Sequence, residues 1–152
     1  MRDQRFVAVH RGGTLSKEQH GHLIQWAHDC AGHVLPLFGE KADDRLQEAL
    51  LLAGIGKNGE TSVGSARKAS LEAISVAHEL SDPVEIAVAR AVGHAVATFH
   101  MADHSLRAAE YALKAIRLSG KSTDQEREWQ DDSIPADVRE LVLSSRKKSI
   151  TK

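Results

Sequence analysis

Small residues line one side of the segment from Pro83 to Met101. Alanine or glycine recurs there at intervals of four, in two overlapping series: Ala87, Ala91 and Ala95, and Ala89, Gly93 and Ala97. Residues four apart share one face of an α-helix, and small side chains on that face allow a neighbouring helix to approach closely. Asp82 and Pro83 supply an N-cap and a first-turn proline at the start of the segment. The pattern predicts a central, buried helix.

The composition also favours packed helices. Aromatic residues make up 4% of the 152 residues and hydrophobic residues 41%, so the core must consist mainly of Ala, Leu, Val and Ile. Strands prefer β-branched and aromatic residues, and no segment alternates long enough to predict an internal strand. A chain of this length is about the size of one domain. We therefore expect a single-domain, all-α, Ala-rich bundle of about six to seven helices with a short extended N-terminal arm.

The expected domain covers residues 1–152 and has four parts. Residues 1–13 form the arm and a turn, residues 16–120 the main bundle, residues 123–145 the C-terminal helices that pack on it, and residues 146–152 a frayed tail. Helix starts are predicted at Ser16, with Gln19 in the capping-box position, at Thr61, and at Thr123, with Glu126 in the same relation.

Charge and cysteine content restrict the partners and the compartment. Twenty basic residues against twenty-one acidic ones give a formal net charge of −1, which does not favour a nucleic-acid partner. The apolar runs are too short for a membrane span. Cys30 is the only cysteine, so an internal disulfide is excluded and a reducing compartment, the cytoplasm, is expected. Cys30 falls between Trp26 and Val34 on an apolar stripe and is interpreted as core, although His33 one turn away leaves a nucleophile as the alternative.

Histidines near the end of the central helix are candidates for a metal site. His100 and His104 are one helical turn apart, a spacing that allows two imidazoles to bind one metal ion, with Asp103 beside them and His94 earlier on the helix. No glutamate follows His100, so the zinc-peptidase pattern is absent. The favoured interpretation is a hydrogen-bonded helix junction without a metal or cofactor. Four further histidines on the first helix are interpreted as a solvated face: His20, His22, His28 and His33.

An acidic segment follows the fifth predicted helix. Residues 124–140 contain seven acidic and two basic residues, a local net charge of −5. Such a run is usually a solvated face, but it also suits rapid docking onto a basic partner. Trp129 either anchors a contact surface or pins this segment onto the bundle. The candidate partner-contact residues are Glu128, Trp129, Asp131 and Asp132.

The motifs that carry a family resemblance extend over most of the chain. They are Arg11-Gly12-Gly13, Trp26-Ala27-x-Asp29-Cys30-Ala31, Asp44-Arg45, Arg90-Ala91-x-Gly93-His94-Ala95-x-Ala97-Thr98-x-His100-x-x-Asp103-His104, Ala108-x-x-Tyr111-Ala112, and Trp129-Gln130 with Pro135-x-x-Val138-Arg139-x-Leu141-Val142. With them the chain resembles a family of helical bacterial proteins similar to the fifth class of immunity proteins in polymorphic toxin systems. It departs from the family pattern where Leu46-Gln47 follows Arg45 and where Phe99 and Met101 replace smaller residues.

The resemblance implies an intracellular protein that binds a cognate toxin, often a nuclease, and blocks it. It supplies no catalytic residues, and the sequence contains no phosphate loop, nucleophile elbow or paired-cysteine zinc pattern. We therefore expect a binding protein that occludes its target without turnover, rather than an enzyme. Two alternatives stay open. One is a metal- or ligand-binding helical protein that uses His94, His100, Asp103 and His104, and the other is a homodimeric helical interaction module.

Overall fold

Seven α-helices form most of the chain in the computed structural model, which describes residues 3–39, 43–56 and 63–150. The helices are α1 (Lys17–Val34), α2 (Asp44–Gly56), α3 (Val63–Glu79), α4 (Pro83–Ala97), α5 (His104–Leu118), α6 (Thr123–Asp132) and α7 (Arg139–Ile150). No strand occurs within the described ranges. The predicted all-α fold is confirmed.

Capping residues fix the starts of α1 and α4 where the sequence predicts them. The Ser16 hydroxyl accepts a hydrogen bond from the backbone N–H of Gln19 at 3.0 Å, and the Gln19 side chain accepts one from the Ser16 N–H. The Asp82 carboxylate accepts one from the backbone N–H of Val84 at 2.9 Å, directly ahead of Pro83. These bonds satisfy backbone donors that have no partner within the helix.

The start of α6 differs from the prediction by one residue. The cap is Ser122, whose hydroxyl accepts from the backbone N–H of Gln125, and Thr123 is the first helical residue. Adjacent hydroxyl residues both suit the N-cap position, so local sequence does not choose between them. With this register, Glu126 does not close a capping box and is instead buried against the bundle. The predicted cap at Thr61 lies outside the described residues.

The central helix of the bundle is α4, which packs against α1, α2, α3 and α5. Eight of its residues are buried, and all are Ala, Val or Gly: Ala87, Val88, Ala89, Ala91, Val92, Gly93, Ala95 and Val96. Between α3 and α4, the Ser70 hydroxyl donates a hydrogen bond to the Gly93 carbonyl at 3.1 Å. The small-residue face therefore has the predicted role, although α4 ends at Ala97 and a turn continues to Met101.

A second apolar cluster joins the two ends of the chain to α1 and α5. It contains Phe6 from the N-terminal arm, Leu15 from the segment before α1, Trp26 and Cys30 from α1, and Val142 from α7. The arm is less extended than expected, because residues 4–6 and 9–11 form 3-10 turns and a single backbone bridge joins Ala8 to Leu15. This cluster holds the arm and the C-terminal helices on the main bundle.

The C-terminal helix continues beyond the expected start of the tail. Arg146 lies within α7 and is only 3% exposed, whereas the sequence places it at the start of a frayed segment. Its guanidinium stacks 5.1 Å from the centre of the Trp26 ring and donates to the side chains of Asp131 and Gln130. These partners make burial of the charge tolerable.

Candidate functional site

Two of the four candidate metal ligands come together at the junction of α4 and α5. The Nδ1 atoms of His94 and His104 are 2.9 Å apart, a hydrogen-bond distance. The His94 ring also stacks on Tyr111, with centroids 5.2 Å apart and an interplanar angle of 7°. The Arg90 guanidinium lies 5.9 Å from the centre of the Tyr111 ring. Three aromatic rings and one cation thus form a column across α4 and α5, which we call the His–Tyr column.

The surroundings of His94 keep its ring neutral. Burial lowers the pKa of His94 to about 4, and the positive charges of His104, Arg107 and Arg90 act in the same direction. A neutral ring carries one N–H, so one Nδ1 of the histidine pair donates to the other. This hydrogen bond joins α4 to α5, and the interpretation of the histidines as a junction without a metal stays a prediction.

His100 faces a different part of the molecule. It lines a cavity beside the N-terminal arm, and its pKa is lowered by burial and then by the charges of Arg67 and Arg11. The turn that follows Ala97 separates His100 from the His–Tyr column. In the described part of the chain, no group of three potential metal ligands includes His94, His100, Asp103 or His104.

A different group of three potential metal ligands does meet, at the start of α1. It comprises Glu18, His22 and Asp137, whose ligand atoms all lie within 4.8 Å of one another. The His22 Nδ1 lies 2.8 Å from both carboxylate oxygens of Asp137, so it donates to this carboxylate and ties α1 to the segment before α7. His22 and Asp137 are 115 positions apart, so their spacing in the sequence gives no signal of the contact.

The acidic helix α6 presents a row of carboxylates to solvent. Asp124, Glu128 and Asp132 are all exposed and lie four residues apart, so they follow one stripe along the helix surface. We call this row the acidic stripe. It contains two of the four candidate contact residues, together with Asp124.

The other two candidate contact residues, Trp129 and Asp131, make contacts within the molecule. Trp129 is half-buried and stacks on His33 of α1, with ring centroids 3.7 Å apart and an interplanar angle of 14°. The same His33 places its Nδ1 2.7 Å from the carboxylate of the buried Glu126. Asp131 accepts a hydrogen bond from Arg146 at 2.7 Å. His33, Trp129 and Asp131 therefore fix the orientation of α6, and the acidic stripe remains on its outer side.

A buried polar network holds the inner face of α6 against the bundle. The side chain of Gln130 is fully buried, donates to the Ala109 carbonyl at 3.1 Å and accepts from Arg146. The Trp26 indole N–H donates to the Gln130 backbone carbonyl at 2.9 Å. Sequence reasoning did not identify Gln130 or Arg146 as structural residues. The only sequence feature that pointed to Gln130 was its place beside Trp129 in the family motif.

Cys30 is a core residue, as its position on the apolar stripe predicts. Its side chain is fully buried, and burial raises the pKa of the thiol well above its usual range. A thiol of this kind is a poor nucleophile, because the reactive species is the thiolate.

Comparison with known proteins identifies the family. The family model described as "Imm-5 like putative immunity protein" matches residues 13–137, which include the His–Tyr column and the acidic stripe. No curated protein and no solved structure matches the chain. None of the described helices is both long enough and apolar enough to cross a membrane. The match covers most of the sequence, and the chain therefore belongs to the Imm-5 like putative immunity protein family.

Proposed function

We propose that this protein binds a cognate bacterial toxin in the cytoplasm and blocks it by covering part of its surface, without turnover. The family match over residues 13–137 is the observation that carries the proposal. Two features of the fold support binding rather than chemistry. Cys30 is buried with a raised pKa, and the histidine pair is occupied by an internal hydrogen bond.

The acidic stripe is the proposed centre of the contact surface. A standard protein interface buries roughly 800 Å² on each partner, and a ten-residue helix is about 15 Å long. The helix α6 therefore supplies only part of the required area. The exposed carboxylates of Asp137 and Glu140 extend the negative surface toward α7. A toxin that acts on nucleic acid carries a basic surface, and an acidic face would be drawn to it electrostatically.

Support from within the molecule makes the stripe suitable for binding. Trp129 and Asp131 are held by His33 and Arg146, so α6 is already ordered before a partner arrives. An ordered surface loses little conformational entropy on binding. We assign Trp129 and Asp131 to positioning the helix, and Glu128 and Asp132 to contact with the toxin.

The test is protection of a cell that expresses a candidate toxin taken from the genes that neighbour the gene for this chain. Glu128→Lys and Asp132→Lys should each weaken protection and slow association of the purified proteins, with a smaller dependence on salt concentration. Glu48→Lys is the matched control, since Glu48 is also an exposed glutamate within a helix and the substitution changes the net charge equally. If all three variants protect the cell as well as the wild-type chain does, the acidic stripe is not part of the contact surface. No protection by the wild-type chain would contradict the immunity function.

A further inference from the structure

A partly enclosed cavity of about 160 Å³ lies between the N-terminal arm and the turn that follows α4. Its walls combine apolar and basic side chains. The apolar ones include Phe6, Phe99 and Met101, and the basic ones are His10, Arg11, His20 and His100. Among the residues that the structure describes, no acidic side chain lines the cavity.

One of the cavity histidines has a fixed role. The Nε2 atom of His20 lies 2.6 Å from the Thr98 carbonyl, and a carbonyl oxygen only accepts, so Nε2 carries the proton. Burial lowers the pKa of His20, the hydrogen bond to Thr98 acts against this, and His10 and Arg11 add smaller contributions that lower it further. Burial therefore favours the neutral form of the His20 ring.

Arg11 supplies a positive charge that none of the described carboxylates neutralises. Its guanidinium lies 3.5 Å from the His100 carbonyl and 3.6 Å from the Met101 sulfur, which are long contacts. In the described part of the chain, Arg11 forms no ion pair with an acidic side chain. The Nε2 atom of His100, beside it, is buried without a hydrogen-bond partner. Arg11 is exposed to solvent, so its guanidinium is a cation at the solvent-exposed edge of the cavity, and His100 adds a buried ring nitrogen without a partner.

We propose that this cavity binds a carboxylate carried on a small apolar group. The guanidinium of Arg11 matches the geometry of a carboxylate, with two parallel hydrogen bonds. The apolar group would lie against Phe6, Phe99 and Met101. The volume is suitable, since a cavity of about 150 Å³ accommodates a benzene ring. The site is independent of the proposed toxin-binding surface.

The experiment is a titration of the full chain with benzoate, followed by amide chemical shifts in ¹H–¹⁵N spectra. Saturable shifts are expected at residues 6–11 and 99–102, with a Kd on the order of 1 mM for a ligand of this size. Benzamide, which has the same shape without the charge, should bind at least tenfold more weakly. Arg11→Gln should weaken benzoate binding at least tenfold, and Arg117→Gln, an exposed arginine on α5, should leave it unchanged.

A second probe separates the two sources of such a carboxylate. N-acetylglutamic acid amide presents the group as the side chain of a partner protein would, whereas benzoate represents a free organic acid. Tighter binding of either probe supports the site and identifies the source. The proposal fails if neither probe shifts the cavity residues, if benzamide binds as well as benzoate, or if Arg11→Gln binds like the parent. The experiment uses no toxin, so its failure is distinct from failure of the immunity function.

Discussion

Replacing Gly93 with alanine should stabilise the protein, although Gly93 lies in the middle of its most buried helix. A Cβ atom built at this position would lie 3.6 Å from the Ala73 Cβ, 3.8 Å from the Ile74 Cγ1 and 3.9 Å from the Ser70 carbonyl oxygen. All three are ordinary van der Waals distances, so the methyl group fits without displacing α3. Alanine is favoured over glycine by about 0.8–1.0 kcal/mol in a helix interior. We expect Gly93→Ala to raise the free energy of unfolding by about 0.5–1 kcal/mol.

A larger side chain at the same position should have the opposite effect. Beyond the Cβ atom, a leucine side chain would meet Ala73 and Ile74 with no room to extend. Overpacking of this kind costs about 1–3 kcal/mol. Gly93→Leu should therefore lower the free energy of unfolding, and the two substitutions together test how closely α3 packs against α4.

Urea and thermal unfolding, followed by far-ultraviolet circular dichroism, would measure both effects. For a domain of this size, 1 kcal/mol corresponds to a shift of about 2–4 °C in the melting temperature. The control is Gly13→Ala, whose added Cβ would lie 2.0 Å from the Val7 carbonyl oxygen and should destabilise the arm. Destabilisation by Gly93→Ala would mean that α3 and α4 pack more closely than the structure indicates. A Gly93→Leu variant that melts like the parent would refute the assignment of α4 as the packed centre.

Three further predictions concern polar groups. Arg146→Met removes the guanidinium that donates hydrogen bonds to Asp131 and Gln130, and the free energy of unfolding measured in urea should fall by about 2–3 kcal/mol. A fall below about 0.5 kcal/mol, as at an ordinary surface site, would contradict the network. The pKa of His94 is about 4 in the folded protein, below its ordinary value of 6.5, so the unfolded chain binds a proton more readily than the folded one. The contribution of His94 to the free energy of unfolding is therefore complete above pH 6.5 and declines as the pH falls toward 4. Unfolding measured across this range should show a smaller pH dependence for His94→Gln, and an unchanged dependence would refute the assignment. Addition of a chelator should leave the melting temperature unchanged. A stoichiometric metal in the purified protein, together with a loss of stability on chelation that His104→Ala reproduces, would establish a metal site.

Local signals in the sequence were sufficient to predict where the helices α1 and α4 begin. Ser16 and Asp82 act as caps because their side chains reach backbone donors two or three residues away, and such contacts depend only on nearby residues. The small-residue face of α4 could also be predicted, since small residues that recur at intervals of four follow the period of an α-helix. The one-residue difference at Ser122 shows the limit of such signals where two neighbouring residues are both good caps.

The contacts of the polar residues could not be predicted in the same way. The spacing of His100 and His104 suggested a shared helix face, but the chain turns after Ala97, and the partner of His104 is His94 on the preceding helix. Burial of Arg146 depends on Trp26, Gln130 and Asp131, two of which lie on the neighbouring helix α6 and one on α1. A basic run at the end of a chain usually extends into solvent, and only tertiary packing changes that outcome here.

Titration of the purified toxin domain with this protein tests the immunity function most directly. Toxin activity would be measured as the molar ratio of the two proteins is raised, under conditions where binding is tight. Occlusion without turnover predicts a linear loss of activity that ends at a fixed stoichiometric ratio, together with a stable complex in solution. Complete inactivation at a small fraction of that ratio would indicate catalysis, and undiminished activity at excess would show that this protein does not block the toxin.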